Sequence, residues 1–183
     1  MIKKTGGIQS TRIFVIIKRM LIGVVFIATI GVVFLNRTPT QLGVEDLNGV
    51  SMQPTFWDGD KVLISTAQAE KEKLHYEQFV IVHQVAGIDS RMLKRVIGLP
   101  GDHLIVKDGQ VIRNGEVIDE PYIKEKEWFI ETPFKGVLAE NEIYVMGDNR
   151  NHSKDSRHVG PINLDQQYIG VVIKQVYEAP SKK

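Results

Sequence analysis

The residues best suited to chemistry in this chain are a serine and a base that lies elsewhere in the sequence. Ser51 occurs in the stretch "GVSMQPTFWDGD", between two apolar residues and with no histidine close to it in sequence. A serine hydroxyl is a weak nucleophile until a base takes its proton. If Ser51 is a nucleophile, another part of the chain must therefore supply the base.

The candidate bases are five histidines and one lysine. The histidines are His75, His83, His103, His152 and His158. None lies in a recognisable triad context, but triads are defined by geometry, so a serine–histidine pair stays open. Lys94 lies in "MLKRVIGLP", where burial would lower the pKa of its amine and allow it to act as a base. Strand alternation puts Lys94 and Arg95 on opposite faces, so one can face a dry site while the other stays in water; the alternative is a solvated lysine on an edge strand.

A polar stretch near the C-terminus, "GDNRNHSKDSRHVGPI" at Gly147–Ile162, follows the apolar run "IYVM". Its residues favour turns, so one interpretation is a long surface loop. In the other interpretation Ser153 hydrogen-bonds the Lys94 amine, while Asp155 and Arg157 form an ion pair that holds the loop in place.

The elements that must position these residues are predicted to be strands. Runs rich in β-branched and aromatic residues are typical of strands. They are "DKVLIS", "QFVIVHQV", "RMLKRVIG", "NEIYVM" and "YIGVVIKQVYE". Asp108-Gly109 and Asn114-Gly115 each lie between apolar runs and predict type I′ hairpins, in a smaller β excursion at about residues 108–140. The run "AQAEKEKLH" predicts a solvated loop or short helix, and the whole pattern predicts an all-β domain at 36–183.

The N-terminal part predicts a transmembrane helix. Met20–Leu35 carries no charge and spans about 24 Å as a helix. Ile13–Ile17 extends it toward the roughly 30 Å of a bilayer core if the two intervening basic residues snorkel. No Ala-x-Ala site follows, so we expect an uncleaved anchor at 13–35 rather than a removed signal peptide. Basic residues precede the run, which places 1–12 in the cytoplasm and 36–183 outside.

The amino-acid composition excludes several classes of site and partner. The net charge of +1 gives no overall field that would attract nucleic acid. The lack of cysteine excludes disulfides, thiolate metal sites and a cysteine nucleophile. No metal-ligand spacing such as HExxH occurs, so no metal or cofactor is expected. Two aromatic pairs, Phe56-Trp57 and Trp128-Phe129, suit either a membrane interface or ordinary packing.

Three strings, "SMQPT", "KRVIGLPGD" and "GDNRNHSKDSRHVG", together with the anchor, resemble the type I signal peptidases of bacteria, a family of serine–lysine proteases. The order and the separations are similar, and the likeness covers most of the chain. The resemblance implies a signal-peptidase-like β-barrel or sheet domain that removes signal peptides from exported preproteins through an acyl-enzyme. Cleavage would follow small-x-small (Ala-x-Ala-like) sites. The implied partners are these preproteins, the lipid bilayer and the protein-export translocon.

Position by position, the resemblance implies that Ser51 is the nucleophile and Lys94 the general base. Ser153 would orient the lysine, and Asp155 and Arg157 would support it.

The substrate would bind as an added strand beside the serine and the lysine. The expected binding residues are Gly49, Val50, Met52, Arg91, Met92 and Leu93. The sequence departs from the family pattern at Gly49, where some members, notably Gram-negative ones, carry a hydroxyl residue that assists the oxyanion hole. This departure favours a Gram-positive source. It leaves the Ser51 N–H as one donor, with a water or another backbone N–H as the second.

Three other interpretations stay open. A repressor-type serine–lysine protease shares the chemistry but lacks an anchor. A membrane-anchored β domain that binds pilins or other exported proteins would have an inactive site, against which the intact Ser51 and Lys94 argue. A serine–histidine protease is the third.

Overall fold

The computed structural model describes residues 42–84, 90–129 and 133–180. These residues form a β-rich domain, which confirms the all-β prediction. The expected anchor at 13–35 and the segment 1–12 lie outside the described residues. Within the described part, no helix combines the length and the apolar character that a membrane crossing requires.

The described residues contain eleven strands, two one-turn α-helices and one 3-10 turn at Arg150–His152. The strands are β1 (Leu42–Asp46), β2 (Lys61–Ser65), β3 (Phe79–His83), β4 (Arg91–Gly98), β5 (His103–Lys107), β6 (Gln110–Arg113), β7 (Glu116–Val117), β8 (Phe134–Val137), β9 (Glu142–Met146), β10 (Ile162–Asn163) and β11 (Tyr168–Tyr177). The helices are α1 (Gln68–Lys71) and α2 (Ser156–Val159). α1 falls in the run for which a solvated loop or short helix was expected.

The strands form two sheets. The larger sheet has the order β1-β2-β11-β3-β4-β9-β10 and the smaller one β7-β6-β5-β8. Every paired neighbour is antiparallel. β1 and β4 are separated by four antiparallel steps, so these two strands run in the same direction.

The smaller sheet contains the two predicted hairpins. Lys107 pairs with Gln110, and Arg113 pairs with Glu116, so each turn has two residues. Asp108, Gly109, Asn114 and Gly115 all have positive φ, between 50° and 91°. Type I′ turns require positive φ at both central positions, which Asn-Gly and Asp-Gly adopt readily. The sheet takes in His103–Val137, so it starts one strand earlier than the turn signals alone indicated.

Three apolar clusters form the core. One lies on the face of the larger sheet that carries Val80 and Val145. A second joins the two sheets, with Leu104 and Trp128 at its centre. The third contains Leu47, Met52, Phe56, Val62, Ile64, Ile81 and Leu93. Because it includes residues on both sides of Ser51 in the chain, the third cluster fixes the serine-bearing loop against the sheet.

Candidate active site

Ser51 begins a loop, residues 51–60, that we call the nucleophile loop. The loop closes on itself where the Leu47 N–H donates to the Asp60 carbonyl and the Gly59 N–H donates to the Leu47 carbonyl, both at 2.8 Å. The Ser51 carbonyl accepts the Asn149 N–H at 3.0 Å. The Asn149 side-chain amide also donates to the Val50 carbonyl at 3.0 Å. The serine backbone is therefore tied to the polar stretch that follows β9.

Lys94 lies on β4 and reaches Ser51. Its Nζ lies 2.9 Å from Ser51 Oγ and 2.8 Å from the Leu93 carbonyl oxygen. The residue is only 3% exposed, so the alternative of a solvated edge lysine is wrong. Desolvation lowers the pKa of Lys94 to about 8, while the charges of Asp155 and Asp148 oppose that shift.

Arg95 faces the other side of β4 and is buried as well, which corrects the expectation that one of the two cations stays in water. Its Nη2 lies 2.6 Å from Asp148 Oδ2 and its Nε lies 2.8 Å from Asp148 Oδ1. The guanidinium stacks 3.7 Å from the centre of the Tyr122 ring and 4.4 Å from that of Phe79. Asp148 also accepts a hydrogen bond from the Thr55 hydroxyl. This pair therefore joins β4 to the nucleophile loop.

Residues 147–160, which we call the support loop, are organised around Asp155. Its carboxylate accepts hydrogen bonds from the Gly147 N–H at 3.0 Å and the Ser153 hydroxyl at 2.7 Å. Arg157 donates to it through Nε and Nη2, both at 2.8 Å. Desolvation opposes ionisation of Asp155, but these bonds and the Arg157 charge hold its pKa below the usual range. The buried carboxylate is therefore charged and paired.

The expected bond between Ser153 and the Lys94 amine is not among the hydrogen bonds found for the described residues. The Ser153 hydroxyl donates to Asp155. Gly147 lies between the two serines. A Cβ at Gly147 would come within 2.3 Å of Ser153 Oγ and 2.5 Å of the Ser51 carbonyl oxygen. Ser153 is thus packed beside the backbone of Ser51, and its bond to Lys94 stays a prediction.

A second buried cation in the support loop was missed by the sequence analysis. Arg150 donates to Glu120 through both terminal nitrogens, at 2.5 and 3.0 Å, and its Nε donates to the Gly147 carbonyl at 3.1 Å. The Trp128 ring lies 5.0 Å from the Arg150 guanidinium and 5.3 Å from that of Arg157. The string "GDNRN" contained the signal, but its partner Glu120 is 30 residues away and could not be identified from spacing.

A groove of about 470 Å³ leads to Ser51 and Lys94. Its walls consist of Glu45, Asp46, Leu47, Asn48, Gly49, Ser51, Met52, Phe56, Trp57, Ile81, Arg91, Met92, Leu93 and Lys94. Five of the six expected binding residues are among them. Val50 is not, and its side chain is largely exposed. The contribution of β1 was missed, because its run "LGVED" is too short and too acidic to indicate a groove wall.

The groove lies between two strands that each have a free edge. β1 pairs only with β2 among the described strands. In the described part of the chain, β9 pairs with β4 only from Arg95 onward, so Met92–Lys94 pairs with β3 on one side alone. Because β1 and β4 run in the same direction, the space between them presents two rows of backbone donors and acceptors to one extended chain.

The aromatic pairs divide between packing and exposure. Phe56 is buried and meets Phe79 edge to face, with 4.8 Å between ring centres. Trp57 is half-buried and lines the groove. Trp128 is buried, whereas Phe129 is 83% exposed. Ordinary packing therefore accounts for Phe56 and Trp128.

All five histidines lie in the described part of the chain. None of the hydrogen bonds found among the described residues joins Ser51 to a histidine. His158 instead accepts the Asp155 N–H through Nδ1 at 3.3 Å and caps α2. The arrangement can support proton transfer between Ser51 and Lys94 without a ring nitrogen.

Comparison with known proteins gives consistent matches. The profile of a family described as "Signal peptidase, peptidase S26" matches residues 15–176. The chain is 34% identical over 139 residues to Signal peptidase I V of Bacillus subtilis (strain 168), which covers 69% of this chain and 80% of the relative. It is 33% identical over 136 residues to Signal peptidase IB of Staphylococcus aureus (strain COL), with 66% and 70% covered. A crystal structure of a signal peptidase I from Enterococcus faecalis V583 aligns at a TM-score of 0.45 and 25% identity, covering 54% of this chain and 95% of that one.

Proposed function

The chain belongs to the signal peptidase family, peptidase S26, and we propose that it acts through a dyad of Ser51 and Lys94. Membership makes the protein a signal peptidase I, a hydrolase that removes signal peptides from preproteins. The observation that carries the proposed dyad is the 2.9 Å contact between Lys94 Nζ and Ser51 Oγ.

The lowered pKa gives Lys94 the protonation state that a base needs. With a pKa of about 8, roughly a tenth of the amines are neutral at pH 7. At the ordinary value of 10.5 the neutral fraction would be roughly 300-fold smaller. Burial thus converts a strongly basic side chain into one that can take a proton from serine near neutral pH.

Acylation follows from this geometry. The neutral Lys94 amine removes the Ser51 hydroxyl proton as Oγ bonds to the substrate carbonyl carbon. The Ser51 N–H donates to the resulting oxyanion. The Gly49 N–H already donates to Asp58 Oδ1 at 2.6 Å, so a different group must supply a second donor. When the intermediate collapses, the C–N bond breaks and Lys94 gives its proton to the leaving amine.

Deacylation uses the same two side chains in reverse. Lys94, neutral again, takes a proton from a water molecule, and the resulting hydroxide bonds to the ester carbon. The C–O bond to Ser51 breaks, and the proton returns from Lys94 to Ser51 Oγ. The products are the free enzyme and the signal peptide as a carboxylic acid, which releases its proton to water and becomes a carboxylate, so atoms and charge balance.

The groove supports binding of the substrate as an extended strand. A chain between β1 and β4 would complete the backbone hydrogen bonds of both free edges. The wall nearest Ser51 includes Leu47, Met52 and Leu93, three apolar side chains packed in the third cluster. Their packing supports the proposal that only small residues fit at the inward-facing positions next to Ser51, as cleavage after small-x-small sites requires.

We further assign the protein to the cell membrane, with residues 13–35 as a single span and the catalytic domain outside the cytoplasm. The support is the uncharged run in the sequence and the basic residues that precede it. Signal peptides carry their own apolar segment in the bilayer. Tethering enzyme and preprotein to one membrane raises their effective concentration, so lipid and the export translocon are the expected surroundings.

Cleavage of a membrane-presented preprotein tests the dyad. We expect Ser51→Ala and Lys94→Ala each to abolish processing, while His152→Ala and His158→Ala retain most of it. Folding of each variant is checked by circular dichroism and thermal unfolding. Equal loss in a folded histidine variant would replace the dyad with a triad, and retained processing in Lys94→Ala would exclude lysine as the base.

A further inference from the structure

We propose that the ion pair between Glu45 and Arg91 selects the substrate side chain at the third residue before the cleaved bond. The proposal rests on the proposed function, since it assigns a specificity to the same groove. Glu45 belongs to β1 and Arg91 to β4, and their side chains form an ion pair. The contact therefore links the two strands between which the substrate would lie.

Both side chains are on the inner face of the sheet, which the third apolar cluster defines. Glu45 pairs across the sheet with Val62, a fully buried member of that cluster. Directly opposed residues share a face, so Glu45 is on the inner face. Arg91 precedes Leu93 by two residues on β4, and Leu93 belongs to the same cluster. The ion pair thus occupies the face toward which small-x-small side chains would point.

The inner wall changes character with distance from Ser51. Leu47 and Leu93, nearer the serine, are apolar and 8% exposed each. Glu45 precedes Leu47 by two residues and Arg91 precedes Leu93 by two. In extended backbone this separation is about 7 Å, in the direction away from Ser51. In an extended substrate the inward-facing side chains are likewise two residues apart. The first residue before the cut therefore meets the apolar wall and the third meets the ion pair.

An ion pair at this place penalises large alkyl groups. The Glu45 side chain is 20% exposed and that of Arg91 48% exposed, so both charges still have access to water. A branched alkyl side chain above them would remove that water without replacing its hydrogen bonds. A small hydroxyl side chain fits the space and can bond to either charge. We expect the enzyme to prefer serine over valine at the third position by about two- to fivefold in kcat/KM, a size typical of partly exposed charges.

The sharpest test uses two variants, each of which removes one charge of the ion pair and leaves the other. Glu45→Gln leaves the Arg91 cation, and Arg91→Gln leaves the Glu45 anion. Two substrates are compared that differ only in having glutamate or lysine at the third position. We expect the ratio of kcat/KM for glutamate over lysine to rise about two- to fivefold above wild type in Glu45→Gln and to fall by a similar factor in Arg91→Gln.

A ratio of two kcat/KM values measured on one variant does not depend on how much of that variant is folded. Two controls test whether the effect is specific to the third substrate residue and to this ion pair. Substrates with glutamate or lysine at the second residue, which faces away from the wall, should give unchanged ratios. Asp165→Asn removes an exposed ion pair with Lys71 outside the groove and should leave every ratio at the wild-type value.

The proposal fails if the ratio for the third position is the same in wild type and both glutamine variants, or if the second position responds equally. Failure of the proposed function looks different. In that case Ser51→Ala would still cleave the parent substrate with alanine at the third position, or wild type would not cleave it.

Discussion

At the scale of single residues, the reactivity of Lys94 results from opposing effects. Desolvation is the largest and lowers the pKa of its amine, while Asp155 and Asp148 raise it and Arg157 lowers it again. Each of the two acids forms an ion pair with an arginine. The positive charge of that arginine partly cancels the effect of the carboxylate on the Lys94 pKa. The pKa of Lys94 is about 8 because desolvation lowers it more than the two paired carboxylates raise it.

The first prediction concerns pH. Only neutral Lys94 can act as the base, so kcat/KM should rise as pH increases, with a midpoint at about 8, and level off above it. A bound substrate removes further water, which should lower the midpoint seen in kcat. Steady-state kinetics with a soluble peptide substrate between pH 6 and 10 measure both. A midpoint near 6.5, the ordinary value of histidine, would contradict the assignment.

The apolar neighbours of Lys94 allowed its burial to be considered from the sequence, but nothing in the sequence indicated that Arg95 is buried as well. Alternation correctly places the two cations on opposite faces of β4. It does not indicate what covers each face. Arg95 is covered by Tyr122, which comes from a loop 27 residues later, and Asp148 is 53 residues later. Such partners are set by the tertiary fold, for which the local pattern carries no signal.

At the scale of elements, the support loop is organised around two buried ion pairs, Asp155 with Arg157 and Arg150 with Glu120. Asp155 caps α2 by accepting the Arg157 N–H, and the His158 ring in turn accepts the Asp155 N–H. The same carboxylate receives the Ser153 hydroxyl, so one buried anion sets the helix start and the position of a serine. Small backbone shifts in this loop are transmitted directly to Ser51.

The second prediction tests that tight contact. Gly147→Ala would insert a methyl group within 2.6 Å of three atoms of Ser51 and Ser153. We expect a loss of about 1–3 kcal/mol in the free energy of unfolding and a fall in kcat of about a hundredfold, since small misplacements of reacting groups have effects of that size. In Gly136→Ala the new methyl group meets only the far end of the Phe134 ring, so activity should stay near wild type. Equal effects of the two substitutions would contradict this account.

Local elements were predictable where turn chemistry determines them. The Asp-Gly and Asn-Gly turns each need two residues with positive φ, and those residue types adopt it readily. The smaller sheet starts at β5, before the first of these turns, because the turn signals mark the hairpins but not the strand that precedes them. Its first N–H is instead bonded to the Asn114 side chain, eleven residues away. A contact across a hairpin of that length is absent from any local pattern.

At the scale of the whole described domain, the smaller sheet and the connecting segment brace the site. Glu120 and Trp128 come from the segment between β7 and β8, and both contact Arg150 in the support loop. Arg150 of the support loop thus obtains its carboxylate partner from the excursion. The excursion therefore helps to hold the candidate site, although it is separate from the site residues in sequence.

The third prediction concerns the C-terminal tail at Ala179. Ala179 is buried, and its N–H donates to Asp60 Oδ1 at 2.7 Å, while Asp60 Oδ2 accepts the Trp57 N–H at 2.8 Å. Asp60→Ala would leave two N–H groups without these acceptors, at about 1–3 kcal/mol each. We expect the midpoint of thermal unfolding to fall by roughly 2–4 °C per kcal/mol lost, and processing to weaken because the nucleophile loop is released.

Asp60→Asn is the matched control for this prediction. It retains one carbonyl oxygen as an acceptor and should lose less stability than Asp60→Ala. If both variants unfold at the wild-type temperature, the tail does not fix the nucleophile loop.

The two free edges of β1 and β4 have a consequence for the empty enzyme. Unpaired strand edges readily recruit other extended chains, including copies of the same protein. The opening that admits a preprotein is thus also the place where concentrated protein would self-associate. A peptide bound in the groove should prevent this self-association. An uncleaved peptide analogue would therefore keep the purified protein monomeric at concentrations where the protein without peptide precipitates.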